Sequence, residues 1–100
     1  MGRRVVVTGM GLLTALGNDL ATTWKALLEG RSGIGPITRF DTTDYAAKIA
    51  GEVPGFNAED WIEKKEIKKS DTFIHYAIAA SQMAFDDSGL ANANVDSDRF

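Results

Sequence analysis

The stretch Asp71-Thr-Phe-Ile-His-Tyr-Ala-Ile-Ala-Ala-Ser-Gln-Met-Ala-Phe85 limits the possible folds of this chain more than any other. It reads as a helix, with Ser70 or Asp71 to cap its start and Gly89 to end it. Apolar residues run almost all the way round it. A helix of that kind must be covered on most sides, so it belongs in an architecture thicker than one sheet layer.

The other elements point the same way. Arg4 to Thr8 is a β-branched run with no polar alternation, the pattern of a strand buried on both faces. Gly9, Gly11 and Gly17 follow, where the backbone is expected to turn tightly and approach a neighbour closely. Asn18 or Asp19 caps a helix through Trp24, Leu27 and Leu28, and Gly30 supplies a left-handed stop. Ser32 to Pro36 reads as a loop. Ala47 to Val53 reads as a short strand weakened by Gly51, with a turn at Pro54-Gly55. Ala91 to Arg99 is a polar surface segment. One convincing strand and one all-apolar helix do not complete a core, so the chain reads as part of a larger α/β domain.

Composition removes several function classes. The chain has 100 residues, 44% of them hydrophobic, and no cysteine. A disulfide framework, a thiolate metal site and a cysteine nucleophile are therefore excluded within it. A net charge of −3 argues against a general nucleic-acid binder. The apolar runs are too short to span a bilayer. Thr8 and Gly9 interrupt what would otherwise be a signal-peptide core, and Val6 stands where a myristoylation motif needs Ser or Thr. The expectation is a soluble intracellular protein.

Against that acidic background, Trp61-Ile-Glu-Lys-Lys-Glu-Ile-Lys-Lys69 carries four lysines. On a continuous helix, Lys64, Lys65, Lys68 and Lys69 fall within an arc of roughly 140°, with Glu63 and Glu66 outside it. Glu59 and Asp60 suit the helix N-terminus and its dipole. Charge sorted by face in this way suggests a docking surface for something acidic. The plainer reading is a solvated helix face laced with Glu–Lys pairs.

Several separated blocks, in order, resemble the β-ketoacyl-acyl carrier protein synthases. They are Arg4-Val-Val-Val-Thr-Gly-Met-Gly-Leu-Leu-Thr-Ala-Leu-Gly17, Thr23-Trp-Lys-Ala-Leu-Leu-Glu-Gly-Arg-Ser-Gly-Ile34, Arg39-Phe-Asp41, Lys68-Lys-Ser-Asp-Thr-Phe73 and Ala84-Phe-Asp-Asp-Ser-Gly-Leu90. The likeness covers essentially the whole chain and is greatest to the type II elongating synthases of bacterial fatty acid synthesis. It implies an α/β chain forming the N-terminal part of a thiolase-like, layered α-β-α-β-α fold. Residues 1–100 would be the N-terminal segment of the first thiolase-like half. It also implies a cytoplasmic homodimer that condenses acyl chains with malonyl-acyl carrier protein and needs no cofactor or metal. In the family a cysteine takes the acyl group and two histidines assist, all beyond position 100 in the family's order. No catalytic residue is expected in this chain. The resemblance gives the lysines a partner, because Lys65, Lys68 and Lys69 match the family's basic positions for docking acidic acyl carrier protein, and Lys64 is also basic there.

Other candidates take bland readings. His75 lies on the apolar helix with no acidic or nucleophilic partner at i±4 and matches neither family histidine, so it reads as a satisfied interior or interface residue. Gly9 and Gly11 start a G-x-G-x-x-G pattern, but Thr14 breaks it, and no acidic residue ends a second strand about twenty residues on. Asp86 and Asp87 read as a solvated helix end, and Trp24 and Trp61 as packing anchors. Two further functional readings stay open at this point: a non-catalytic module that only binds an acidic carrier protein, and, weakly, a nucleotide-dependent reductase fragment. Type I and polyketide ketosynthases are not separated from type II by these residues.

Overall fold

A computed structural model describes residues 2–99, which divide into two compact units, residues 13–56 and residues 2–12 with 57–99. In the first unit, α1 spans Leu20–Leu28. Asp19 is its N-cap, in extended backbone, and accepts from the Thr22 N–H at 2.7 Å. At the other end the Arg31 N–H donates to the Ala26 carbonyl and the Gly30 N–H to that of Leu27, both at 3.0 Å, with Gly30 at φ 71°. This is a Schellman ending, and glycine takes the left-handed position without steric cost. Thr23 and Ala26 are its buried residues, and Thr23 Oγ1 lies 3.0 Å from Thr14 Oγ1. Trp24 is 58% exposed, so the expectation of a packing anchor fails there.

Two short strands complete this unit: β1 (Ile34–Pro36) and β2 (Ile49–Gly51), antiparallel, with Gly35 opposite Ala50. The second was expected; the first falls in a segment expected to be loop. Pro36 is tolerated because the inward N–H next to it is that of Ile37, which donates to the Lys48 carbonyl, so the proline falls on the ribbon's unpaired side. The connection is tied from both sides. Glu52 accepts from the Thr38 backbone and hydroxyl, and the Lys48 ammonium donates to the carbonyls of Thr42, Thr43 and Tyr45 at 2.8–3.2 Å. Phe40 and Tyr45 meet edge to face.

The second unit is built on two helices, α2 (Lys64–Ile67) and α3 (Thr72–Ser88). Asp71 caps α3 and Gly89 ends it at φ 71°. Residues 4–8 form no strand among the described residues: Val5, Val6 and Val7 are 91%, 68% and 79% exposed. A strand exists only through ladder bonds, and residues 4–8 make none among the described residues. The segment that follows packs closely. A Cβ on Gly9 would sit 2.6 Å from the Ser88 nitrogen and one on Gly11 2.7 Å from that of Ala84, both inside any tolerable contact. Ala80, Ala84 and Ser88, at four-residue intervals along α3, accept this approach because they are small. The expected close approach of these glycines is to a helix backbone.

Helix α3 buries His75 and Ala79, while Phe73 is 69% exposed and Ile78 is 41% exposed. Phe73, Ala77, Ile78 and Phe85 line an open apolar groove along it. The all-round apolar character read from the sequence is present, and only part of it is covered. The tail forms two 3-10 turns, Leu90–Asn92 and Ser97–Arg99, and is exposed apart from Leu90, in keeping with a polar surface segment.

Candidate functional site: a lysine turn braced by a histidine

The lysine stretch is not one helix. Asn57 caps a 3-10 turn, Ala58–Asp60, by accepting from the Glu59 N–H. Trp61 then leaves helical geometry at φ −123°, and Glu63 is extended at φ −59°, ψ 138°. A single α-turn, α2, follows, with no side-chain cap at its start and Lys68 in right-handed geometry at its end. Trp61 itself is half-buried. Glu59 and Asp60 thus belong to the preceding turn rather than to the start of the lysine helix.

All four lysines are exposed. Lys64 and Lys65 open the turn, Lys68 follows it in right-handed geometry, and the Lys69 N–H still bonds to the Glu66 carbonyl. The glutamates nevertheless reach two of the lysines. Lys65 Nζ lies 3.3 Å from Glu63 Oε2, and Lys69 Nζ lies 3.4 Å from Glu66 Oε1. Glu63 precedes the helical turn, so a constant 100° step does not place it. Both pairs are well exposed and therefore weak, leaving the ammonium groups open to exchange for another anion.

A four-residue turn is too short to persist by itself. Its C-terminal carbonyls are held by the residues that follow, including the Ser70 N–H on the Ile67 carbonyl at 3.4 Å. Lys69 N–H and Ser70 Oγ donate to the Glu66 carbonyl at 3.1 and 3.2 Å. His75, from the first turn of α3, places Nε2 3.2 Å from the Ile67 carbonyl and 3.1 Å from Ser70 Oγ. A carbonyl can only accept, so Nε2 carries the proton and shares it between the two oxygens. Its partners lie five and eight residues upstream, across the cap of α3, which is why spacing at i±4 does not reveal them. Ser70 just ahead of the Asp71 cap, with a histidine in the first turn, was the one available cue. The interior reading of His75 holds: it is 8% exposed.

The other candidates resolve without chemistry. Asp87 is exposed but is more than a solvated helix end, since Oδ2 accepts from the Met10 N–H at 3.0 Å. Asp86 accepts from Gln82. Among the described residues, no group of three or more His, Asp or Glu side chains could hold a metal ion, and no helix is long and apolar enough to cross a membrane.

Residues 2–100 match the family described as beta-ketoacyl synthase, N-terminal domain, and the chain belongs to that family. It is 48% identical over 96 residues to the 3-oxoacyl-[acyl-carrier-protein] synthase 2 of Synechocystis, covering 96% of this chain and 23% of that protein. The proteins of the same name from Vibrio cholerae and Staphylococcus aureus are 53% and 50% identical over 88 residues, covering 88% of this chain and 21% of each. A solved structure of the ishigamide ketosynthase/chain length factor superposes with a TM-score of 0.79 at 41% identity, covering 87% of this chain and 22% of that one. The chain thus spans less than a quarter of the length of these relatives, and its fold is that of the opening segment of a ketosynthase, which is thiolase-like.

Proposed function

We propose that the chain is the N-terminal section of an elongating β-ketoacyl-acyl carrier protein synthase, and that Lys64, Lys65, Lys68 and Lys69 are its docking surface for acidic carrier protein. The observation that carries the reading is the roughly half-identical match, across nearly all of this chain, to proteins named 3-oxoacyl-[acyl-carrier-protein] synthase 2. In the complete enzyme a cysteine thiolate attacks the acyl thioester and expels the carrier thiol. Loss of carbon dioxide from malonyl-carrier then leaves a carbanion that attacks the acyl-enzyme carbonyl and returns the thiolate. This chain has no cysteine, so that chemistry belongs to the rest of the protein.

What this section contributes is recognition. A cation cluster on an acidic protein draws an acidic partner in by its field, raises the encounter rate and makes it sensitive to salt. The whole protein is a cytoplasmic homodimer of layered α-β-α-β-α halves, needing no cofactor. Exposed Val5–Val7 and the bare groove on α3 favour this reading over a stand-alone binding module, because both are surfaces that a larger core would cover. The test is condensation by the full-length protein: acyl-carrier plus malonyl-carrier yields a 3-oxoacyl-carrier and carbon dioxide. Absence of that product from a folded full-length preparation overturns the assignment.

A further inference from the structure

We infer that His75 is a positioning residue for carrier docking, acting through the Ile67 and Ser70 oxygens to fix the turn that carries Lys65, Lys68 and Lys69; the inference rests on the docking reading above. The turn's other ties are local, the Lys69 N–H on the Glu66 carbonyl and the Ser70 N–H on the Ile67 carbonyl among them. It has no side-chain cap at its start, it buries none of its own residues, and its two observed ion pairs are exposed. Helix α3, by contrast, is 17 residues long, capped at both ends and pressed against Gly9 and Gly11. His75 is the buried side chain through which that rigid element reaches the lysine turn.

The geometry sets a specific requirement. Nε2 must donate, because the Ile67 carbonyl accepts only. Ser70 Oγ spends its own proton on the Glu66 carbonyl and so receives the shared Nε2–H. One imidazole N–H thereby adds to the backbone bonds on both carbonyls at the end of the turn, one directly and one through the serine. Without it the last helical turn frays. The lysines keep their charge but lose a common orientation, so docking pays the entropy of reordering them.

The experiment compares full-length His75→Leu, His75→Gln and Ser70→Ala enzymes with a Lys65→Glu/Lys69→Glu control, on carrier-linked acyl substrate and on a carrier-free acyl thioester. His75→Leu is expected to raise KM for the carrier-linked substrate about three- to tenfold, the effect of one lost hydrogen bond of ordinary strength. Its kcat, and its KM for the carrier-free thioester, stay unchanged. His75→Gln, whose amide N–H can occupy the place of Nε2, restores most of the loss, and Ser70→Ala moves KM in the same direction as leucine. If the lysine control raises KM while His75→Leu and Ser70→Ala do not, docking stands and the positioning role is wrong. If the lysine control itself leaves KM unchanged, the docking reading is wrong. A fall in kcat on both substrates after His75→Leu, not recovered by glutamine, makes His75 a general structural residue and overturns the inference.

Discussion

The Met10 backbone N–H donates to Asp87 Oδ2 at 3.0 Å, joining residues 77 positions apart. On either side of Met10, Gly9 and Gly11 lie against the backbone of the same helix. The start of the chain and α3 therefore form one structural element, with the hydrogen bond setting its register and the glycines its spacing.

The glycines are the stricter requirement. Gly11→Ala places a methyl group against the Ala80 carbonyl and Met83 Cβ, and neither backbone can yield without moving the helix. The expected cost to the full-length protein is about 1–3 kcal/mol or more, seen as a fall of several degrees in Tm. Asp87→Ala removes one exposed hydrogen bond and is expected to lower Tm by much less. An alanine variant at Gly11 with unchanged Tm would mean that this contact is absent in solution.

Asp19 gives a pH-dependent signature. Its hydrogen bond from the Thr22 backbone, seconded by the Thr22 side chain, holds its carboxyl below the ordinary carboxylate value. A lowered native pKa means that the stabilisation is present above the unfolded value and is lost as pH falls through the native one. The loss is therefore confined to roughly pH 4 and below. Asp19→Asn caps comparably without titrating. Its Tm should match that of the wild type near neutrality and fall less steeply in acid. Parallel Tm curves for the two proteins from neutral to acid pH would refute the cap assignment.

Glu52 behaves alike through a different contact. The Thr38 hydroxyl is the main cause that lowers its carboxyl below the usual value, and Arg39 adds a weaker effect at 3.7 Å. By the same sign, its hold on the segment between β1 and β2 is present at neutral pH and lost in acid. Thr38→Val should raise the Glu52 pKa toward the ordinary value, read by carboxyl carbon chemical shifts in a pH titration.

The two weak ion pairs of the lysine turn make a directional prediction. Glu66→Gln frees Lys69, so KM for carrier-linked substrate should fall modestly at low salt, and the difference should vanish as salt screens the cluster. A rise in KM would mean that the pair orients Lys69 rather than competing for it.

What could be read from the sequence was what residues determine locally. Asp19, Gly30, Asp71 and Gly89 sit at the helix ends where their side chains, or lack of one, satisfy unpaired backbone groups. Long-range pairing was not legible. β1 lies in a Ser-Gly-Ile-Gly-Pro segment of low strand propensity and exists because Ala50 lies opposite Gly35. Arg4–Thr8 has a strand's composition but forms no ladder among the described residues. The lysine stretch reads as one continuous helix in the sequence, but Trp61 and Glu63 lie outside helical geometry, so a constant helical step applies only from Lys64 onward. The brace from His75 crosses a turn, where periodicity carries no information.

The most direct test of the account is the Michaelis constant of the full-length enzyme for acyl-carrier, measured against a carrier-free thioester, in wild type and in Lys65→Glu/Lys69→Glu. The account predicts a rise of roughly tenfold or more for the carrier-linked substrate at low salt, shrinking as salt is added, with the carrier-free reaction unaffected. Equal constants for the two proteins on carrier-linked substrate would contradict it.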